Sequence, residues 1–145
     1  RITDFQCALG SNQLKKLDRF VQKRRKISKR YDDSFSNIEN IKIPELLSNV
    51  EPSYHLYPLQ IDFKKLLFSK VELFERMKKA GINLQVHYIP IHLQPFYKKN
   101  YGFQQGDFPI SERFYQNELS LPIYPDLSDK NVSLVIDSIL EIIPT

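Results

Sequence analysis

Glycine is scarce, with four in 145 residues. Rossmann fingerprints and phosphate-binding loops concentrate several glycines in one short motif, so neither fits inside this chain. The single cysteine, Cys7, excludes an internal disulfide and gives no sign of an oxidising compartment. No apolar run approaches the length of a bilayer span. No hydroxyl or thiol side chain stands beside a base as an activated nucleophile, and no His/Cys/Asp/Glu group has metal-ligand spacing. The only methionine is Met77, and Arg1-Ile2-Thr3-Asp4 leads into no apolar leader core. A helix begins almost at once. The chain therefore reads as a segment of a longer one, with its reactive group supplied from outside.

What is present describes an ordinary globular domain: 41% hydrophobic residues, 26% charged, and a formal charge of +4. Thr3 and Gln6 form a capping box. The pattern predicts one helix from about Asp4 to about Phe35, with Leu14, Leu17, Val21, Ser28, Tyr31 and Phe35 on one stripe. Such a helix would be about 50 Å long, more than a small domain needs, and would bridge two bodies. Phe5, Ala8 and Leu9 make its start apolar on more than one side, and Gly10 points to close packing there. Cys7 reads as a small buried residue. The run from Lys23 to Arg30 carries six positive charges. Without interleaved aromatics, and with Asp32 and Asp33 following, it reads as a solvated helix face rather than a nucleic-acid patch.

Further along, Ile41-Lys42-Ile43 is a short strand stopped by Pro44. Tyr54 to Ile61 alternates as a strand, with Pro58 marking an edge or bulge and His55 packed. Ser69 and Glu72 form a second capping box, opening a helix with Val71, Phe74, Met77 and Lys78 on one side and Gly81 at its C′ position. Ile82 to Val86 is a strand, and Tyr97 to Gly106 a loop. Asp107 caps a helix with Pro109 in its first turn and Ile110, Phe114 and Tyr115 inward. Ser120 to Pro125 is extended. Ser128 caps a last helix whose stripe is Val132, Val135, Ile136, Ile139 and Ile143. The expected class is α+β: a long entry helix, then a small antiparallel or mixed sheet with helices on one face.

The most informative stretch is His87-Tyr88-Ile89-Pro90-Ile91-His92, which holds two of the three histidines. It follows an apolar strand and is broken by proline, as in loops that offer polar groups to a ligand from a rigid scaffold. His87 and His92 are five apart, which places them on opposite faces of a continuing strand, and Pro90 forbids a helix. A metal site is therefore disfavoured, and ligand contact stands beside structural hydrogen bonding as a role for each histidine.

Five segments together resemble the DegT/DnrJ/EryC1/StrS family of nucleotide-sugar aminotransferases. They are Arg1 to Asp18, Ser53-Tyr54-His55-Leu56-Tyr57-Pro58, the run from Gly81-Ile82 through His87 to Pro95, Gly106-Asp107-Phe108-Pro109, and Leu119 to Pro125. The resemblance implies the small C-terminal domain of a type I aminotransferase dependent on pyridoxal 5′-phosphate. Residues 1–145 would form that single domain, and the large cofactor-binding domain would lie upstream of residue 1. It implies no catalytic, cofactor-binding or metal residue in this segment. It makes His87, Tyr88 and His92 candidates for contact with the nucleotide sugar, and Arg1 a candidate across a homodimer. The implied chemistry is amino transfer from an amino acid, expected to be L-glutamate, to the C4 ketone of a UDP-linked 4-keto-6-deoxy sugar, as in pseudaminic acid synthesis. The cofactor would be the electron sink, and the segment alone would be inactive. A cytoplasmic location, with neither nucleic-acid nor membrane partners, is expected. The alternatives are a basic-helix nucleic-acid module, which would bind heparin with steep salt dependence, and a free-standing interaction domain.

Overall fold

The computed structural model describes residues 1–143. Helices α1 (Asp4–Leu14) and α2 (Leu17–Phe35) open the chain, followed by strands β1 (Ile41–Lys42) and β2 (Pro58–Ile61). Helices α3 (Lys70–Lys79), α4 (Pro95–Tyr101) and α5 (Pro109–Asn117) come next, then β3 (Glu118–Ser120) and α6 (Asp129–Ile142). The strands make one antiparallel sheet in the order β1-β2-β3. This is the expected α+β arrangement.

Local signals set most helix ends. The capping boxes at Thr3–Gln6 and Ser69–Glu72 both form, and the Ser128 hydroxyl accepts from the Asn131 N–H. The Ser69 N–H and hydroxyl hold the Glu72 carboxyl below its ordinary range. At the end of α3, the Gly81 N–H donates to Lys78 O and the Ile82 N–H to Met77 O, with Gly81 at φ 79°. That is a Schellman closure, and its left-handed residue is the reason for glycine there.

The core lies between the sheet, α2, α3 and α6. Tyr31, Phe35, Tyr57, Leu59, Ile61, Leu73, Met77, Leu119, Val132 and Ile139 are fully buried, each apolar side chain contributing about 1.5–3 kcal/mol by burial. The Tyr31 and Tyr57 rings lie 5.0 Å apart. The Tyr31 hydroxyl donates to Pro122 O at 2.8 Å, and the Tyr57 hydroxyl to Asp32 Oδ1 at 2.7 Å. The predicted stripe of α6 is the face that is buried.

The structure corrects several expectations. The first helix is two, because the Lys16 N–H bonds back to Gln13 O, three residues earlier, and resets the helix between Leu14 and Leu17. Cys7, read as buried, is exposed, and a side chain at Gly10 would meet nothing within 4 Å, whereas Phe5 and Leu9 are exposed in this chain as expected of side chains that meet another body. The second strand starts only at Pro58, and His55 is exposed. Pro58 is not on an edge. It opens the central strand and lies beyond the end of β1, which pairs only with Gln60 and Ile61, so its missing N–H breaks no rung with β1. Residues 82–86 contribute one bridge, Gln85 to Ser120, rather than a strand. The expected loop from Tyr97 contains α4, with Pro95 at its start and Gly102 left-handed at its end. Phe108, not Asp107, stands at the α5 N-cap. Val71, Phe114 and Ile110 point out of the chain, while Leu73 on α3 and Glu112 on α5 are buried.

The basic run is accounted for within the chain. Arg24 donates to Ser53 O, and Arg25 to Pro52 O and Glu51 O. Lys23 pairs with Asp126, Lys26 and Arg30 with Asp129, and Lys29 with Asp33. Each exposed pair is worth little. Together they give every cation of the run a partner, which leaves no bare stripe for a phosphate backbone.

Candidate functional site

The bridge between Gln85 and Ser120 sets the site. Gln85 and Ser120 exchange both backbone hydrogen bonds, at 3.4 and 2.8 Å. Two residues on, the same antiparallel register brings His87 opposite Glu118. Here a side chain replaces the next rung: the His87 N–H donates to Glu118 Oε2 at 3.0 Å. The Ser120 hydroxyl donates to Glu118 Oε1 at 2.7 Å, and His87 Nδ1 lies 2.8 Å from Ser120 Oγ. Glu118 and Ser120 are buried and His87 half-buried.

A cavity of about 270 Å³ opens beside His87. His55, Asn83, Gln85, Ser120 and Tyr124 also line it. Tyr88 stands out of the fold, 73% exposed, and its ring meets the His87 ring edge-on at 4.6 Å. The loop thus presents an anchored imidazole and a free phenol side by side.

His92 goes elsewhere. It sits in a short 3-10 turn, Ile91–Leu93, after Pro90, and is buried. Its Nε2 lies 2.9 Å from Glu112 Oε1, and its ring is 4.7 Å from the Phe108 ring. Glu112 also accepts from the Gly106 N–H at 2.8 Å and the Phe108 N–H at 3.4 Å. The His92 hydrogen bond, then the two backbone donors, hold the Glu112 carboxyl below its ordinary range against the opposing effect of burial. In this chain His92 is bonded to α5 through Glu112. The two histidines serve different elements and do not converge. Arg1 is exposed at the chain start.

Glu112, Glu118 and Ser120 are the residues that the sequence reading missed. A signal for two of them was present. In Glu118-Leu119-Ser120-Leu121, the period of a strand puts the carboxylate and the hydroxyl on one face and the leucines on the other. His55 was misplaced for lack of any sign that the chain bends before Pro58.

The profile of the DegT/DnrJ/EryC1/StrS aminotransferase family matches residues 1–140. The spore coat polysaccharide biosynthesis protein SpsC of Bacillus subtilis is 38% identical over 141 residues, 97% of this chain and 36% of its own length. The UDP-4-amino-4,6-dideoxy-N-acetyl-beta-L-altrosamine transaminase of Campylobacter jejuni is 37% identical over 143 residues, 99% of this chain and 37% of that protein. Among solved structures, Helicobacter pylori PseC, an aminotransferase involved in the biosynthesis of pseudoaminic acid, superposes with a TM-score of 0.88 at 31% identity. That match covers 99% of this chain and 38% of PseC. The architecture is therefore the small α+β domain of a type I aminotransferase. The chain belongs to the DegT/DnrJ/EryC1/StrS aminotransferase family, and it spans a little over a third of the length of these relatives.

Aminotransferases of this family use pyridoxal 5′-phosphate. The described residues do not fit that group. Binding it needs a lysine free to meet its carbonyl and a cup of donors for its phosphate. Burial pulls the Lys70 ammonium below its ordinary pKa, as a Schiff-base lysine requires. That ammonium, however, donates to Tyr115 O at 2.7 Å and lies over the Tyr115 ring, in a groove lined mainly by Val71, Phe74, Val86 and Tyr115. Among the described residues, no group of three or more His, Cys, Asp or Glu could hold a metal ion, and no helix is long and apolar enough to cross a membrane.

Proposed function

We propose that this chain is the sugar-side domain of a pyridoxal-phosphate-dependent aminotransferase. Its substrate would be a UDP-linked 4-keto-6-deoxy sugar, aminated at C4 with an amino acid, L-glutamate in the first instance, as donor. The observation that carries the reading is the His87–Tyr88 pair, fixed to β3 on one side and open to solvent on the other, in a chain of this family. The transaminase activity of the Campylobacter relative and the pseudoaminic acid pathway of PseC support the choice of sugar.

In this reading the segment works by shape and hydrogen bonding. His87 and Tyr88 meet the nucleotide sugar. His92, tied to Glu112, sets the exit of their loop. The exposed apolar start of α1, with Phe5 at 85% and Leu9 at 57%, is the surface that meets the cofactor-bearing body. A homodimer would bring Arg1 toward the neighbouring site.

The test is kinetic, in the enzyme that contains this segment. His87→Ala lowers kcat/KM for the nucleotide sugar by about ten- to a hundredfold, the cost of one hydrogen bond to a polar ligand group. The glutamate half-reaction keeps its rate, because a small amino acid reacting at the cofactor has no need of this loop. Single-turnover traces separate the halves. Equal slowing of both, or no amination of any nucleotide-linked 4-keto sugar by the unsubstituted enzyme, refutes the reading.

A further inference from the structure

We propose that Glu118 and Ser120 are positioning residues that fix His87 as the Nδ1–H tautomer, so that His87 meets its ligand as a hydrogen-bond acceptor through Nε2. The proposal rests on the sugar-side reading of the His87 loop and says which part of the substrate this histidine reads.

The argument follows the protons. Glu118 is fully buried, and its Oε2 accepts from a backbone N–H, a donor that cannot reverse. Its other oxygen, Oε1, accepts the one proton of the Ser120 hydroxyl at 2.7 Å. Ser120 Oγ then has only lone pairs left for the His87 ring, 2.8 Å away. His87 Nδ1 must carry a proton to bond there, and in the neutral ring Nε2 is left with a lone pair. Among the described residues no hydrogen bond reaches Nε2.

The consequence is a choice of ligand group. Phosphate oxygens are acceptors and cannot bond to a lone pair. Sugar hydroxyls and amide N–H groups can. The geometry therefore assigns His87 to a donor group of the nucleotide sugar, a hydroxyl or an N–H, rather than to its diphosphate.

The test uses the enzyme containing this segment, labelled with 15N-histidine, with His87→Gln identifying the His87 signals. Long-range 1H–15N correlation then reads the tautomer without substrate. In the unsubstituted enzyme Nδ1 carries the proton. Glu118→Gln is the inverting variant. Its carbonyl must face the His87 N–H, which leaves its NH₂ to donate to Ser120 Oγ and turns the hydroxyl proton onto Nδ1. His87 becomes the Nε2–H tautomer, and kcat/KM for the nucleotide sugar falls about ten- to a hundredfold with the glutamate half-reaction unchanged. Ser120→Ala, the second variant, removes the hydroxyl without adding a donor, and both tautomers are populated. An Nε2–H ring in the unsubstituted enzyme, or a tautomer indifferent to both substitutions, overturns the assignment whatever the activity. A correctly inverted ring with unchanged kcat/KM overturns the acceptor role. The sugar-side reading is judged separately by His87→Ala.

Discussion

The two core phenols, Tyr31 and Tyr57, make a sharp prediction about alkaline stability. Both are fully buried. Burial raises the pKa of each, and the Asp32 carboxylate raises Tyr57 further by accepting its proton in a hydrogen bond. A group whose folded pKa exceeds its unfolded pKa of about 10 contributes fully below that value and loses its contribution above it. The fold should thus be steady up to about pH 10 and then weaken by up to about 1.4 kcal/mol per pH unit for each tyrosine. Near pH 8, Tyr31→Phe removes a hydrogen bond to the Pro122 carbonyl and costs about 1 kcal/mol. Tyr57→Phe takes a donor from a carboxylate and costs about 1.5–3 kcal/mol. At pH 11 the difference between wild type and Tyr31→Phe should have fallen by about 1.4 kcal/mol, enough to cancel or slightly reverse it, because the wild type now holds a proton that its unfolded chain releases. Urea unfolding followed by far-ultraviolet circular dichroism, at pH 8, 10 and 11, measures this. Taking differences from each Phe variant cancels the lysines that titrate in the same range. A gap that stays constant from pH 8 to pH 11 would show the phenols free to ionise in the fold, and the argument would fail.

Two further outcomes are expected. Ser69→Ala should cost about 1 kcal/mol in urea unfolding and leave the Glu72 carboxyl closer to its ordinary pKa. Because that pKa is lowered in the fold, the Glu72 contribution exists above the ordinary carboxylate range and is lost on acidification, so Ser69→Ala should flatten the acid limb of the stability curve. His92→Ala should raise the Glu112 pKa and speed amide exchange at Gly106 and Phe108; unchanged exchange at both would mean that α5 holds the turn without the histidine.

Much of the fold was legible because it is written locally. Thr3 with Gln6, Ser69 with Glu72, Ser128 and Gly81 each act within one helical turn, and the stripe of α6 needs no partner to be seen. From Tyr57 onward, β2 alternates as strands do. What escaped depends on distance or on surfaces beyond the chain. The break at Lys15–Lys16 has neither glycine nor proline to mark it. Ile110 and Phe114 read as inward-facing from their hydrophobicity, which alone does not say which body a face meets. In α4, the charges at Lys98 and Lys99 outweighed the start and stop signals at Pro95 and Gly102. The candidate loop was found from its composition. Its supports, Glu118, Ser120 and Glu112, lie 20 to 33 residues away along the chain, and only the folded register shows which histidine each one serves.

The grip of α2 on the segment from Glu51 to Ser53 has a consequence for how this sequence tolerates change. Arg24 reaches a backbone carbonyl through its Nε–H, and Arg25 spreads its guanidinium over two carbonyls and the Glu51 carboxylate, so lysine at either position keeps the charge and loses the directed fit. Lys23, Lys26 and Lys29 make single point contacts with carboxylates, and arginine can stand in for any of them. Two rules of substitution therefore interleave along one basic helix: shape governs the pair in the middle, and sign governs the lysines on either side.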